Sequence, residues 1–287
     1  LLMAFIHAFR MPVFFILAGF FVSLLVHRRG LAGMVRHRLR RLGLPFVVFW
    51  PPLFAASALL GLAFLHRMAH GTWGLDRSLM PQSTTVTTGP NTMHLWFLWM
   101  LLWLAMLTPL LWAAVRALPA GLQHALGRIV AWLGGTPLGI VVLTLPLAWI
   151  GAGYDHGVVT PNGSFLPPLA EWLHNGLFYG FGLCLYAQQK ALMARYEKHW
   201  PVLAGLGLAC FLITAVLSEV LAQPEASAFA LVLVTGAFAD ILAAPVSATR
   251  HLQFWMALAY NCASWLWSLA LIGFFLRHVA QARAWLA

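Results

Sequence analysis

Apolar positions along this chain fall in long unbroken runs, not in the alternation of strands or the narrow stripe of a soluble helix. Such runs cover 3–26, 42–65, 94–115, 129–150, 172–187, 201–221 and 254–276. Runs of about 20 residues suit helices crossing ~30 Å of hydrocarbon and are too long for barrel strands. The pattern predicts an all-α polytopic transmembrane helix bundle, one domain over 1–287. Polar connections separate the runs, among them 66–93 and 151–171, both rich in Ser, Thr, Gly and Pro. Pro51-Pro52 predicts a kink inside the second run. The segment 226–249 is apolar enough to cross but carries Asp240 and Pro245.

Composition agrees with this pattern. Of 287 residues, 62% are hydrophobic and 8% charged, against about 25% charged in soluble domains. The formal net charge is +10, and it has a membrane explanation that needs no nucleic acid. The stretches 27–41, 116–128, 189–200 and 277–283 hold most of the 17 Lys and Arg, whereas 66–93, 151–171 and 222–253 hold only Arg67, Arg77 and Arg250. Positive residues favour the cytoplasm, so the first group faces in. That parity favours seven spans, with 226–249 re-entrant or interfacial; if 226–249 crosses, there are eight and Arg277 and Arg283 lie outside. Cys184, Cys210 and Cys262 sit in apolar runs without a metal or disulfide spacing. No signal peptide is visible, and the chain opens at Leu1.

Three polar features interrupt the apolar runs. His7 and Arg10 lie in the first run, just ahead of Pro12. Charged groups at bilayer depth cost about 2.5–3.5 kcal/mol and usually face a cavity or a partner, although both residues are near enough to the surface to snorkel. Arg38 and Arg41 precede Gly43-Leu44-Pro45. Three apart on a helix, they share a face and form a fork for phosphate; the plainer reading is an orientation signal in contact with anionic lipid. His94 and Trp96 open the third run, where Trp is interfacial belt material and imidazole is able to act as base. His66 and His70 have i, i+4 spacing without a third ligand, so no metal is expected.

HAFRMPVFFILAGFF at 7–21, RLRRLGLP at 38–45 and HLWFLWMLL at 94–102, in this order and spacing, resemble the acyltransferase-3 superfamily of bacterial membrane acyltransferases. The likeness is greatest to the glucan-modifying branch, similar to the enzyme that succinylates osmoregulated periplasmic glucans. NGLFYGFGLCLYA at 175–187 and YNCASWLWSLALIGFFLRH at 260–278 fit later helices of that branch more loosely. The resemblance implies a multi-pass bacterial inner-membrane O-acyltransferase. It takes an acetyl or succinyl group from a cytoplasmic acyl-CoA-type donor, a co-substrate and not a bound cofactor, and passes it to a hydroxyl of a periplasmic or envelope carbohydrate. Partners are then the bilayer and the carbohydrate. The family's Arg-x-x-Arg falls on Arg38 and Arg41, implying donor binding, and its His-x-x-Arg on His7 and Arg10. His94 and Trp96 match the His-Leu-Trp-Phe-Leu feature; the resemblance gives His7, Arg10 and His94 catalytic parts and Trp96 an acceptor contact. The family's favoured base precedes Leu1, and its chains continue past Arg277, so the resemblance also implies truncation at both ends. The competing class is a transporter of a glycan or amphipathic solute, with Arg10, Glu219 and Asp240 as pathway residues; a third is a fragment that only binds.

Overall fold

The computed structural model describes residues 2–76, 78, 91–154, 157–222 and 247–279, and among these no strand occurs. Helices run in the order α1 (Leu2–Arg38), a π-helical turn (Leu39–Gly43), α2 (Leu44–His70), a 3-10 turn (Met93–Leu95), α3 (Trp96–Ala117), α4 (Ala120–Gly135), α5 (Pro137–Gly151), α6 (Leu169–Ala187), α7 (Gln189–Ala222) and α8 (Ser247–His278). Four stretches are long and apolar enough to cross a membrane: Leu2–His70, Met93–Ala117, Gln189–Leu221 and His251–His278. The bent pair α4–α5 makes a fifth if counted as one span. Asp240, Pro245, Glu225, Asp155, His156 and most of 226–249 lie outside the described residues.

The basic stretch 27–41, expected as a connection, is mostly helix. Gly30 breaks it, at φ 70° and ψ 173°, a conformation that glycine alone adopts cheaply. Beyond the break the chain doubles back along α1, so that Arg38 reaches the carbonyl of Ala18. The helix forms because an apolar stripe lies beneath the arginines. Met34 is fully buried, and Leu31, Val35 and Leu42 pack on the core, while Arg28, Arg29, Arg36, Arg40 and Arg41 stay exposed.

Helix α6 lies parallel to α1 in unusually close contact. A Cβ on Gly19 would overlap the Tyr179 carbonyl, and one on Gly182 would overlap that of Ile16. Small residues let helix backbones meet where lipid supplies no hydrophobic drive. One turn on, Ser23 Oγ donates to the Leu183 carbonyl at 2.9 Å. Trp265 of α8 is fully buried and packs on Phe178 and Phe181 of α6, with ring centroids 4.4 and 5.1 Å away.

Helices α7 and α8 run antiparallel. Gly273 meets the backbone of Tyr196, Gly207 meets Trp267, and Trp200 packs on Phe274 and His278. The chain therefore leaves α7 and enters α8 at the same end of the bundle, which puts Arg277 beside the basic start of α7.

The run 129–150 is not one straight helix: α4 and α5 meet at 97°. The break has a local cause. Thr136 is extended (φ −126°, ψ 149°), as a residue before proline prefers, and its Oγ1 accepts from Gly139 N at 3.0 Å. Pro137 then starts α5 at the position where its missing N–H costs nothing. Helix α4 lies across the end of the bundle, with Gly127 near Gln188 and Gly135 near Arg195.

Candidate functional site

The basic end holds a cavity of about 470 Å³, lined by Arg29, Arg36, His37, Arg40 and Arg41 with Gly33. Arg38 is not part of this lining. The spacing of Arg38 and Arg41 predicts a shared face on a regular helix, but Leu39–Gly43 is a π-turn, whose extra residue per turn rotates the two apart. Arg41 faces the cavity, whereas half-buried Arg38 turns into the bundle.

There Arg38 is poorly satisfied. Its Nη2 donates to the Ala18 carbonyl at 3.5 Å, the outer limit of a hydrogen bond. Among the described residues its buried Nε has no partner, and such groups call for an explanation. At the same level Tyr179, held by the Gly19 contact, pairs with Thr108 at 2.8 Å. Thr108 donates to the Leu104 carbonyl, so the tyrosine hydroxyl donates to Thr108. A cation and two hydroxyls thus share the middle of the bundle.

Beside them an apolar pocket of about 440 Å³ opens between α1, α3 and α6, with Leu111, Trp112 and Leu183 on its walls and Thr108 and Ser23 among its polar lining. His27 projects from its wall. The Nδ1–H donates to the Ser23 carbonyl at 2.8 Å, which leaves a lone pair on Nε2. The ring rests on Tyr186 and Trp112, at 4.7 and 5.4 Å. Arg116 stands 5.6 Å over Trp112 at the same pocket. The sequence reading gives His27 no role; its nearest signal is Ser23 one turn earlier, on the face that meets α6.

At the opposite end His7 and Arg10 come together. His7 Nδ1–H donates to the Met3 carbonyl at 2.8 Å, so its Nε2 accepts from Arg10 Nη2 at 3.2 Å. Both are exposed. His94 is exposed in the 3-10 turn, and among the described residues no hydrogen bond joins it to either. Trp96 is partly buried and packs on the core. Its neighbours Trp99 and Trp103 both donate to the Phe165 carbonyl, at 2.7 and 3.3 Å. Glu219 is exposed on α7.

A further polar group sits where α6 begins. Glu171, 3% exposed, accepts from the Asn162 N–H at 2.8 Å and ties the preceding loop to the helix. One turn on, His174 stands between Asn175 and Asn261, at 3.4 and 3.3 Å. Asn261 Nδ2 donates to the Ala257 carbonyl, so its Oδ1 faces His174 and accepts the Nε2–H. Sequence reading misses this group because α6 and α8 bring it together across more than 80 residues, 87 for His174 and Asn261.

Burial pushes the Glu171 carboxyl above the ordinary carboxylate range, and the Asn162 N–H pulls it partly back. The native state then holds this proton more tightly than the unfolded chain. Its contribution to stability falls as pH rises between the ordinary and the raised pKa. Glu171→Gln keeps the acceptor and is expected to flatten this dependence. Glu171→Ala leaves the Asn162 N–H unpaired and is expected to cost about 1–3 kcal/mol. Thermal unfolding in detergent across mildly acidic pH reads both.

Among the described residues no three His, Cys, Asp or Glu side chains are grouped to hold a metal ion. The chain matches the family model described as an acyltransferase domain, over residues 1–260. No curated protein and no solved structure matches it.

Proposed function

This chain belongs to the acyltransferase-3 family and is a membrane acyltransferase, and from that premise we propose that it is a multi-pass O-acyltransferase of a bacterial inner membrane. In this reading the donor is an acyl-CoA-type thioester at the arginine-rich end. The acceptor is a hydroxyl of a periplasmic or envelope carbohydrate at the other end, and osmoregulated periplasmic glucan is the acceptor favoured by the motif likeness. The observation that carries the reading is the arginine arrangement: a solvent-facing basic cavity and a deeper guanidinium with an unpartnered Nε.

In this reading the chain makes seven passes, with α1, the returning helix through α2, α3, the bent α4–α5 pair, α6, α7 and α8 alternating between the two ends; the parallel α1–α6 and antiparallel α7–α8 contacts support that alternation. The positive-inside tendency places the arginine-rich end in the cytoplasm. Arg36, Arg40 and Arg41 then meet the donor's phosphates, for which planar guanidiniums are well suited. The apolar pocket beside Thr108 takes the donor's flexible limb. Arg38 lies deeper, level with Ala18, where the thioester carbonyl arrives.

The acceptor oxygen attacks that carbonyl, a C–O bond forms and the C–S bond breaks. Arg38 stabilises the developing oxyanion, and the thiolate leaves and takes up a proton. A general base removes the acceptor's proton. His7 and Arg10, hydrogen-bonded to each other at 3.2 Å, stand at the outer end of α1 and orient the incoming acceptor. His94 and Trp96 open the outer end of α3 and face the incoming carbohydrate.

Loss of one charge-assisted phosphate contact costs about 1.5–3 kcal/mol. Arg41→Ala is therefore expected to raise the donor KM by roughly 10- to 100-fold with a smaller effect on kcat. Membrane vesicles supplied with radiolabelled acyl donor test this. An Arg41→Ala enzyme with unchanged donor KM removes the basic cavity from donor binding.

A further inference from the structure

A third cavity, which shares no lining residue with the two of the proposed donor path, opens at the elbow between α4 and α5. Its volume is about 250 Å³. Its lining is mostly apolar, with Ile140 and Leu266 buried, Leu203 partly buried and Val202 and Leu206 exposed at the opening beside Arg195 and His199. These two residues are one helical turn apart on α7 and share a face. Both are exposed, and among the described residues neither has an ion-pair partner.

The elbow is built to leave this space. A Cβ on Gly135 would come within 3.3 Å of Arg195 Nη1, and one on Gly134 would meet the Phe181 ring and the Tyr196 hydroxyl at 2.6–2.8 Å. Tyr196 instead donates to the Gly134 carbonyl at 2.9 Å, fixing α4 against α7. The bare backbone lets the Arg195 guanidinium lie over the break. Thr136 and Pro137 complete the wall.

We infer that this cavity is a binding site for an anionic phospholipid, with the phosphate on Arg195 and His199 and one acyl chain along Ile140, Val202 and Leu206. Charge complementarity selects the headgroup, since the Arg195 guanidinium, without an ion-pair partner among the described residues, and the neighbouring imidazole N–H of His199 match an anion. The apolar lining that runs from the opening to Ile140 and Leu266 selects a chain over a free ion. The site lies at the end where the basic residues gather, and anionic lipid concentrates on that side of a membrane. A lipid seated there braces the elbow, where neither short helix has the length of a regular span. The inference does not depend on the transfer reaction.

The test uses the full chain in nanodiscs of phosphatidylcholine, with and without phosphatidylglycerol. Thermal unfolding and native mass spectrometry of retained lipid are read together. Phosphatidylglycerol is expected to raise the Tm and to remain bound through detergent exchange. Arg195→Gln should weaken its retention roughly fivefold. Leu206→Trp fills the chain slot while sparing the rim, and should abolish retention. Lys198→Gln, exposed on α7 but outside the cavity, should behave as the parent. Equal losses in Lys198→Gln, or no loss in Leu206→Trp, would reduce the effect to surface charge and overturn the site. A Tm rise reproduced by inorganic phosphate alone would overturn the lipid as occupant.

Discussion

Arg38→Ala is expected to lower kcat for acyl transfer by about 10²–10³-fold, the cost of removing one oxyanion donor. The donor KM should change little, because the phosphate contacts proposed above fall to other arginines. The protein should still insert and fold. Arg38 makes one weak bond to the Ala18 carbonyl and leaves Nε bare, so its removal gives up little structure and relieves a buried charge. Arg38→Lys should recover only part of the rate, since an ammonium restores charge without the planar fork. Steady-state assays in proteoliposomes at varied donor concentration separate kcat from KM. A loss confined to KM would move Arg38 to the donor's phosphates, and unchanged transfer would remove it from the reaction.

The second large effect is structural. Gly182→Leu places a branched side chain where the Ile16 carbonyl of α1 already sits, with backbone on both sides and no flexible group to yield. Overpacking in a close-packed interior typically costs 1–3 kcal/mol, and this contact is rigid enough to reach or pass the upper end. It also pushes Tyr179 out of register with α1 and breaks the bond from Ser23 to the Leu183 carbonyl, so activity should disappear along with stability. Gly180→Leu is the control for stability alone, because a Cβ there meets nothing within 4 Å although the position lines the apolar pocket. Size-exclusion profile and thermal unfolding in detergent distinguish the two. Parent-like stability of Gly182→Leu would mean that α1 and α6 are not in backbone contact.

The fold is unevenly legible in the amino-acid sequence, for local reasons. The apolar runs correctly marked helices because a bilayer requires every backbone group to be paired within the segment. Length and hydropathy could not mark Gly30, whose φ of 70° turns a basic connection into a returning helix. Nor did the i, i+3 rule place Arg38 and Arg41, because it assumes 3.6 residues per turn and a π-turn intervenes. The elbow at Thr136-Pro137 was legible in principle: an N-cap threonine followed by proline is a helix start, here masked by apolar residues on both sides. The His7–Arg10 pairing is a local i, i+3 contact and the sequence indicates it directly. The grouping of Glu171, His174, Asn175 and Asn261 was not legible, because α6 and α8 meet only in the folded bundle. His27 was hidden by the arginines that follow it.

The most direct test of the central claim is mass spectrometry of periplasmic glucans from a strain lacking glucan acylation, with and without this protein expressed. The account predicts a mass increase of one acyl unit per substitution with the parent, absent with Arg38→Ala although that variant reaches the membrane in equal amount. A glucan profile unchanged by correctly inserted protein would contradict glucan as the acceptor. Equal acylation by parent and Arg38→Ala would contradict the assignment of the bundle interior as the site of transfer.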